Sequence, residues 1–338
     1  MDVLGRLGLE HPIAQVGMGG GMADGELAAA VSNAGALGTV GILDPKRFGA
    51  EVRRARALAP GRPIAVNLLM PFVRRAHVDA ALDAGIEAAI LFFGYDRALV
   101  DRLHAAGVVV LHQVGTAEEA RRAVADGADV VIAQGLQAGG HLLAREPLDI
   151  VLPKVLDAAG GRPVFAAGGI ADARSVRAAM DAGAAGVMAG SRFLLTEECK
   201  VHRAYKQRVM GATQTVDTLL FGFGWPARHR VVVNAATQRW CRDDARGPRA
   251  ALAFNRATAP IGARLPLALL EVVPRLQTRR VPVYTVGPVM QGMPERLVET
   301  TPLYAGECVR DLRSVIPAAQ AVTELAAGTR RPAPAGAV

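Results

Sequence analysis

The run Gln134-Gly-Leu-Gln-Ala-Gly-Gly-His141 directly follows the apolar run Val130-Val-Ile-Ala133. A short buried strand thus leads into a glycine-rich loop that ends in one titratable side chain. Glycine has no Cβ, so its backbone can approach a flat ligand closely. A histidine delivered to that ligand can move a proton near neutral pH. The same device recurs at Ala166-Ala-Gly-Gly-Ile170 and Ala189-Gly-Ser-Arg-Phe193. Three such strand tips in one half of the chain point to one ligand held by several loops.

Around this frame the candidates divide by chemistry. Gly168 and Gly169 end one strand, and Gly190 and Ser191 end the next. One glycine pair alone would only permit a tight turn; two adjacent ones at strand ends suit a phosphate held by backbone N–H groups. Gly17, Met18 and Gly19 after the first strand, and Gly139 and Gly140 before His141, allow a planar ring to lie against backbone. Asn67, Gln113 and Gln134 are amides within or at the ends of apolar strands. A buried amide needs a partner, and three converging amides can read the carbonyls and ring nitrogens of a heteroaromatic ligand. For Gln113, a core amide satisfied by backbone stays open as the alternative. His141 is the candidate proton carrier. Of His11, His77, His104, His112, His202 and His229, only His112 competes, because it ends a strand beside Gln113.

The elements that must position these residues alternate. Short, nearly continuous apolar runs at 13–16, 37–40, 64–69, 88–92, 108–113, 130–134, 164–167 and 186–189 read as parallel strands buried on both faces. Amphipathic helices fill the gaps. The segment 24–33 opens on Asp24, 116–126 opens Thr-Ala-Glu-Glu, and 172–181 opens on Asp172; each stops at a glycine. Eight β units with helices between them predict an α/β fold, a (β/α)8 barrel. An open dinucleotide-binding sheet usually stops near six strands. Gly17-Met-Gly-Gly-Gly21 also lacks the acidic residue that would hold a ribose.

The expected organisation is a barrel over 1–195, a mostly helical insertion or lid over 196–300, a segment returning to the barrel over 301–327, and a disordered tail over 328–338. The chain has 338 residues, 51% of them apolar and few aromatic, as in a close-packed enzyme-sized protein. No run approaches the ~18 apolar residues that a bilayer requires, and the N-terminus lacks a signal pattern, so a cytoplasmic location is expected. Cys199, Cys241 and Cys308 form no CxxC pair, which argues for reduced structural thiols and against a metal site. The net charge of +8 is concentrated between 201 and 280, where Asp217, Asp243, Asp244 and Glu271 are the only acids. That surface is a solvated rim or a lure for anionic ligands. Nucleic acid is not expected, since the arginines lack interleaved aromatics.

With these motifs in place, the chain resembles the nitronate monooxygenases, formerly 2-nitropropane dioxygenases, and the flavin enoyl reductases and NADH:quinone reductases of the same superfamily. The resemblance rests on Ala138-Gly-Gly-His141 together with the two later glycine tips. It spans about 12–193, and less specifically Thr301-Pro-Leu-Tyr-Ala-Gly306. It implies FMN on the barrel, phosphate at the loops after strands seven and eight, and His141 as the catalytic residue. The expected reaction is oxidation of an alkyl nitronate or nitroalkane by molecular oxygen. The alternative is NAD(P)H-driven reduction of a quinone or enoyl thioester. The expected partners are a small anionic substrate, oxygen and, in the alternative, NAD(P)H; a homodimer is left open. A flavinless phosphate-sugar isomerase would need carboxylates or lysines at the strand tips, and none is evident.

Overall fold

The computed structural model of the chain describes residues 3–262 and 273–329. Its strands are β1 (Ile13–Gln15), β2 (Gly38–Val40), β3 (Ile64–Leu69), β4 (Ala88–Phe92), β5 (Val109–Val114), β6 (Val130–Gln134), β7 (Gly140–His141), β8 (Val164–Ala167), β9 (Gly186–Ala189), β10 (Thr215–Thr218) and β11 (His229–Val232). Eight of them form one parallel sheet in the order β1-β9-β8-β6-β5-β4-β3-β2. A parallel bridge from Ala14 to Leu37 joins its two ends, with Leu37 N–H donating to the Ile13 carbonyl at 2.8 Å. The expected (β/α)8 barrel is present. Its strands differ from the apolar runs by a residue at some ends, because the ladder rather than hydrophobicity sets where pairing stops.

The helices between strands begin where the caps place them. Asp24 accepts from the N–H groups of Glu26 and Leu27, Thr116 from Glu119, and Asp172 from Ser175. Each satisfies N–H groups that a helix start leaves unpaired. The helices bury alanine, valine and leucine against the outer faces of the strands.

The barrel interior is a separate apolar cluster. Ala14, Ala65 and Ala88 contribute small side chains, and Ile90, Leu111, Ile132, Phe165 and Met188 contribute large ones. Phe165 is fully buried, and its ring lies over Gly186, where a Cβ would come within 2.6 Å of it. Large side chains opposite small ones fill the barrel without a channel. At the other end of the chain, the helix Ala318–Ala326 packs on the helices Gly25–Asn33 and Ala173–Asp181.

The segment after β9 carries helices at Arg203–Met210, Ala235–Trp240 and Arg249–Gly262, and also the strands β10 and β11. These pair antiparallel, and β11 pairs with β7 to make a second sheet, β10-β11-β7. No helix among the described residues is long and apolar enough to cross a membrane. The tail expected from 328 lies outside the described residues beyond Thr329, as does part of the segment expected to be helical, 263–272.

Replacing Phe165 with Ala should destabilise the protein by about 3–5 kcal/mol, because the ring is fully buried in the barrel interior and its removal leaves a large cavity. Denaturant unfolding would measure this; a loss under ~1 kcal/mol would mean that the interior is not packed around this ring.

Candidate active site

The loop after β6 is fixed by its first side chain. Gln134 Oε1 accepts from the N–H groups of Leu143, at 2.8 Å, and Ala144, at 3.3 Å. Its Nε2 donates to the His141 carbonyl at 2.9 Å. Most of the amide's capacity is therefore used to close the loop, which leaves one N–H for a ligand. Past the turn, Gly140 and His141 pair with Arg230 and His229 of β11. Gly139 passes so close to Ala305 and Gly306 that a Cβ there would lie 2.4 Å from their backbone. The 305–307 strand of chain is itself tied in: Gly306 N–H donates to Ser191 Oγ at 2.8 Å, and Glu307 N–H to the Gln137 carbonyl at 3.0 Å.

His141 stands in a box of rings. Trp225 lies 3.9 Å away between ring centroids, Tyr304 5.4 Å, His229 5.5 Å and Phe93 6.3 Å. Its remaining surface faces the cavity. Burial holds the imidazole pKa well below the usual histidine value; His229 adds to this and the Arg228 carbonyl opposes it. The ring is neutral at physiological pH. The Tyr304 hydroxyl donates to the Val286 carbonyl at 2.9 Å and lies 3.5 Å from His141 Nε2. Phe93, with φ of 62°, is the one non-glycine residue at positive φ among the described residues. It takes this costly conformation at the tip of β4, where its ring meets Trp225 at 5.0 Å.

One cavity of about 560 Å³ opens at the C-terminal ends of the strands, a size suited to a cofactor with a substrate. Gly17, Met18, Gly19, Asn67, Gln113, Gln134, Gly139, Gly140, His141, Gly168, Gly169, Gly190 and Ser191 all line it. Asn67 Nδ2 donates to the Gly17 carbonyl at 2.8 Å, which fixes the loop after β1. The Gln113 side chain makes no hydrogen bond to any described residue. It is the open amide of the three.

At the tips of β8 and β9 the backbone is free to bind. The N–H groups of Gly169, Ile170, Gly190 and Ser191 have no protein partner among the described residues. Gly168 and Gly169 have φ of 110° and 76°, a left-handed turn that suits glycine and exposes these donors. A Cβ on Gly190 would meet only Val16, at 3.7 Å, so the fold itself has room for a side chain at this cavity-lining position.

His112 is separated from this site. It is adjacent to Gln113 on β5, and alternation turns it to the other face, where it stacks on Tyr95 at 4.7 Å. Sequence reasoning missed Trp225 and His229, which come from the segment after β9. The Gly-Trp-Pro turn around Trp225 was a usable signal for a rigid aromatic at a loop tip.

A closed eight-stranded barrel with an open amide, unpaired backbone donors and a neutral histidine at its C-terminal mouth is a (β/α)8 barrel with its site where enzymes of this fold carry theirs. The family model for nitronate monooxygenase matches residues 3–76 and 70–328, and the chain belongs to that family. It is 35% identical over 254 residues to a nitronate monooxygenase of Pseudomonas aeruginosa, covering 61% of this chain and 72% of that one. It is 37% identical over 211 residues to a Mycobacterium tuberculosis (3aS,4S,5R,7aS)-5-hydroxy-7a-methyl-1-oxo-octahydro-1H-indene-4-carboxyl-CoA dehydrogenase, covering 61% of this chain and 59% of that one. The chain thus spans about three-fifths of the length of that relative. The structure of a nitroalkane oxidase from Streptomyces ansochromogenes superposes with a TM-score of 0.75 at 28% identity, covering 97% of both chains.

Burial holds His112 at a pKa of about 4, against about 6.5 for an unfolded histidine. Between these values the unfolded chain binds more protons, so stability falls as pH is lowered from 6.5 to 4, by about 3 kcal/mol for this group. In His112→Leu that share of the slope should vanish from thermal unfolding measured across the range. An unchanged slope would show that His112 is not buried neutral.

Proposed function

We propose that the protein binds FMN at the tips of β8 and β9 and oxidises alkyl nitronates, and neutral nitroalkanes, with molecular oxygen in the cytoplasm. The observation that carries this reading is the neutral His141 in its box of rings, on the wall of the same cavity as four unpaired backbone donors.

The residues fit the cofactor. The N–H groups of Gly169, Ile170, Gly190 and Ser191 would hold the phosphate, which needs several convergent donors. Gln113, with the remaining N–H of Gln134, would read the polar edge of the ring, and Gly17 to Gly19 with Asn67 would hold its other side. When bound, FMN supplies the electron transfer between substrate and oxygen. The protein supplies position and proton control. A neutral His141 accepts the α-proton of a nitroalkane, and it carries no excess proton to return to the carbon of an anionic nitronate. Trp225, Tyr304 and Phe93 exclude water from that exchange. The free thiols Cys199, Cys241 and Cys308 support a reducing compartment.

A second reading, NAD(P)H-driven reduction of a quinone or enoyl thioester, draws on the charged residues Arg47, Lys200, Arg275, Asp24, Asp44 and Glu51, which also line the cavity. It is also consistent with similarity to a CoA-thioester dehydrogenase. Anaerobic stopped-flow mixing separates the two. Ethylnitronate should bleach the flavin rapidly while NADH and NADPH leave it oxidised; the reverse would move the protein to the reductase branch.

Two substitutions test the parts. Gly190→Val should fold normally yet lose most of its bound flavin, as read by absorbance after gel filtration; full flavin content would place the phosphate elsewhere. His141→Ala should keep the flavin and lose roughly 10²–10⁴-fold in turnover of neutral nitroalkane, with a smaller loss on pre-formed nitronate, which needs no base. Unchanged turnover on both substrates would remove His141 from the mechanism.

A further inference from the structure

His229 is fully buried and lies directly across the β7–β11 ladder from His141. Residues opposite each other in an antiparallel pair project from the same face. The two rings are therefore neighbours, 5.5 Å between centroids and nearly perpendicular. His229 Nδ1 lies 2.9 Å from the Ala227 carbonyl. A carbonyl can only accept, so that nitrogen carries the proton and Nε2 carries the lone pair. His229 Nε2 is buried without a hydrogen-bond partner, and so is His141 Nδ1.

Two orphaned nitrogens on adjacent buried rings are a costly pair unless they serve each other. One is already an acceptor. The other becomes satisfied if it holds the His141 proton and gives it toward His229, directly after a small ring rotation or across one water; the nearby Arg228 carbonyl, which also favours a protonated ring, already accepts from the Leu142 N–H at 2.8 Å. On the far side of the His141 ring, the Tyr304 proton is committed to the Val286 carbonyl, so its oxygen can only accept from Nε2, and at 3.5 Å that contact is too long to offset two unpartnered nitrogens on the near side.

We propose that His229 is a positioning residue: it holds His141 in the tautomer with its proton on Nδ1, which leaves the Nε2 lone pair to receive a substrate proton. The chain of influence runs from the Ala227 carbonyl through His229 to His141. It does the work that a buried carboxylate does behind a catalytic histidine, without adding a negative charge. The α-proton passes from substrate carbon to His141 Nε2, and the resulting imidazolium donates from Nδ1 to His229. The proposal rests on the role of His141 given above, but the tautomer can be read without substrate.

The experiment is long-range ¹H–¹⁵N correlation on flavin-loaded protein labelled with ¹⁵N-histidine, which distinguishes protonated from bare ring nitrogens. Wild type should show His141 protonated on Nδ1 and bare on Nε2. His229→Gln, whose amide oxygen offers an acceptor, should keep that pattern. His229→Phe should shift His141 to the Nε2–H form and lower nitroalkane turnover by about tenfold or more, with nitronate turnover little changed. Nε2–H in the wild type, or Nδ1–H persisting in His229→Phe, would overturn the proposal, as would equal losses on both substrates. If His229→Phe does not fold, the wild-type tautomer and His229→Gln still decide. A wild type inert toward both substrates would count against the function proposed above, and the tautomer would still decide this inference.

Discussion

The pairing of Gly140 and His141 with Arg230 and His229 is the constraint on which the site depends. It is a two-residue strand, and each of its hydrogen bonds is worth only about 1 kcal/mol net. It holds because Gln134 closes the same loop from the other side and leaves the His141 backbone no other place to go. Together they turn a glycine-rich segment, which alone would pay the largest entropy cost of any sequence, into a rigid support for one imidazole. The same ladder sets His229 beside His141 and lets the turn before β11 bring Trp225 onto the ring.

That enclosure has an electrostatic result. Burial disfavours the charged form of an imidazole more than any nearby group restores it, so His141 is neutral and His229 is held at about 4. Burial likewise pushes the Tyr304 phenol up, so it stays protonated. The walls of the cavity around His141 are therefore uncharged. Across the mouth, the opposite principle applies: backbone donors at the tips of β8 and β9 are left unpaired. A neutral proton acceptor on one side and fixed dipoles on the other suit a ligand with an anionic end and a redox-active ring.

The barrel was legible because each strand is a short apolar run and each cap is a residue type with one good local use. Asp24, Thr116 and Asp172 all accept from their own helix starts. The glycine tips were legible for the same reason, since their chemistry is local. What was not legible depends on distant pairing. β11 finds its partner in β7, about ninety residues earlier, and nothing within 229–232 announces a two-residue strand as its mate. His229 therefore read as one histidine among several. Gln134 and Gln113 could not be told apart either. Both stand at or next to the ends of apolar strands and both line the cavity, yet one amide is taken up by backbone N–H groups while the other is left open, and only the path of the following loop decides which.

A crystal structure of the purified protein grown with FMN tests the central claim most directly: that the loops after β8 and β9 bind the phosphate while the β7 ladder presents His141 to the ring. The account predicts phosphate oxygens within hydrogen-bond distance of the Gly169 and Gly190 N–H groups. It also predicts a ring edge on Gln113 and His141 Nε2 facing the ring from the side of Trp225. A phosphate seated at Lys200 and Arg275 instead, or a ring with His141 turned away from it, would contradict it.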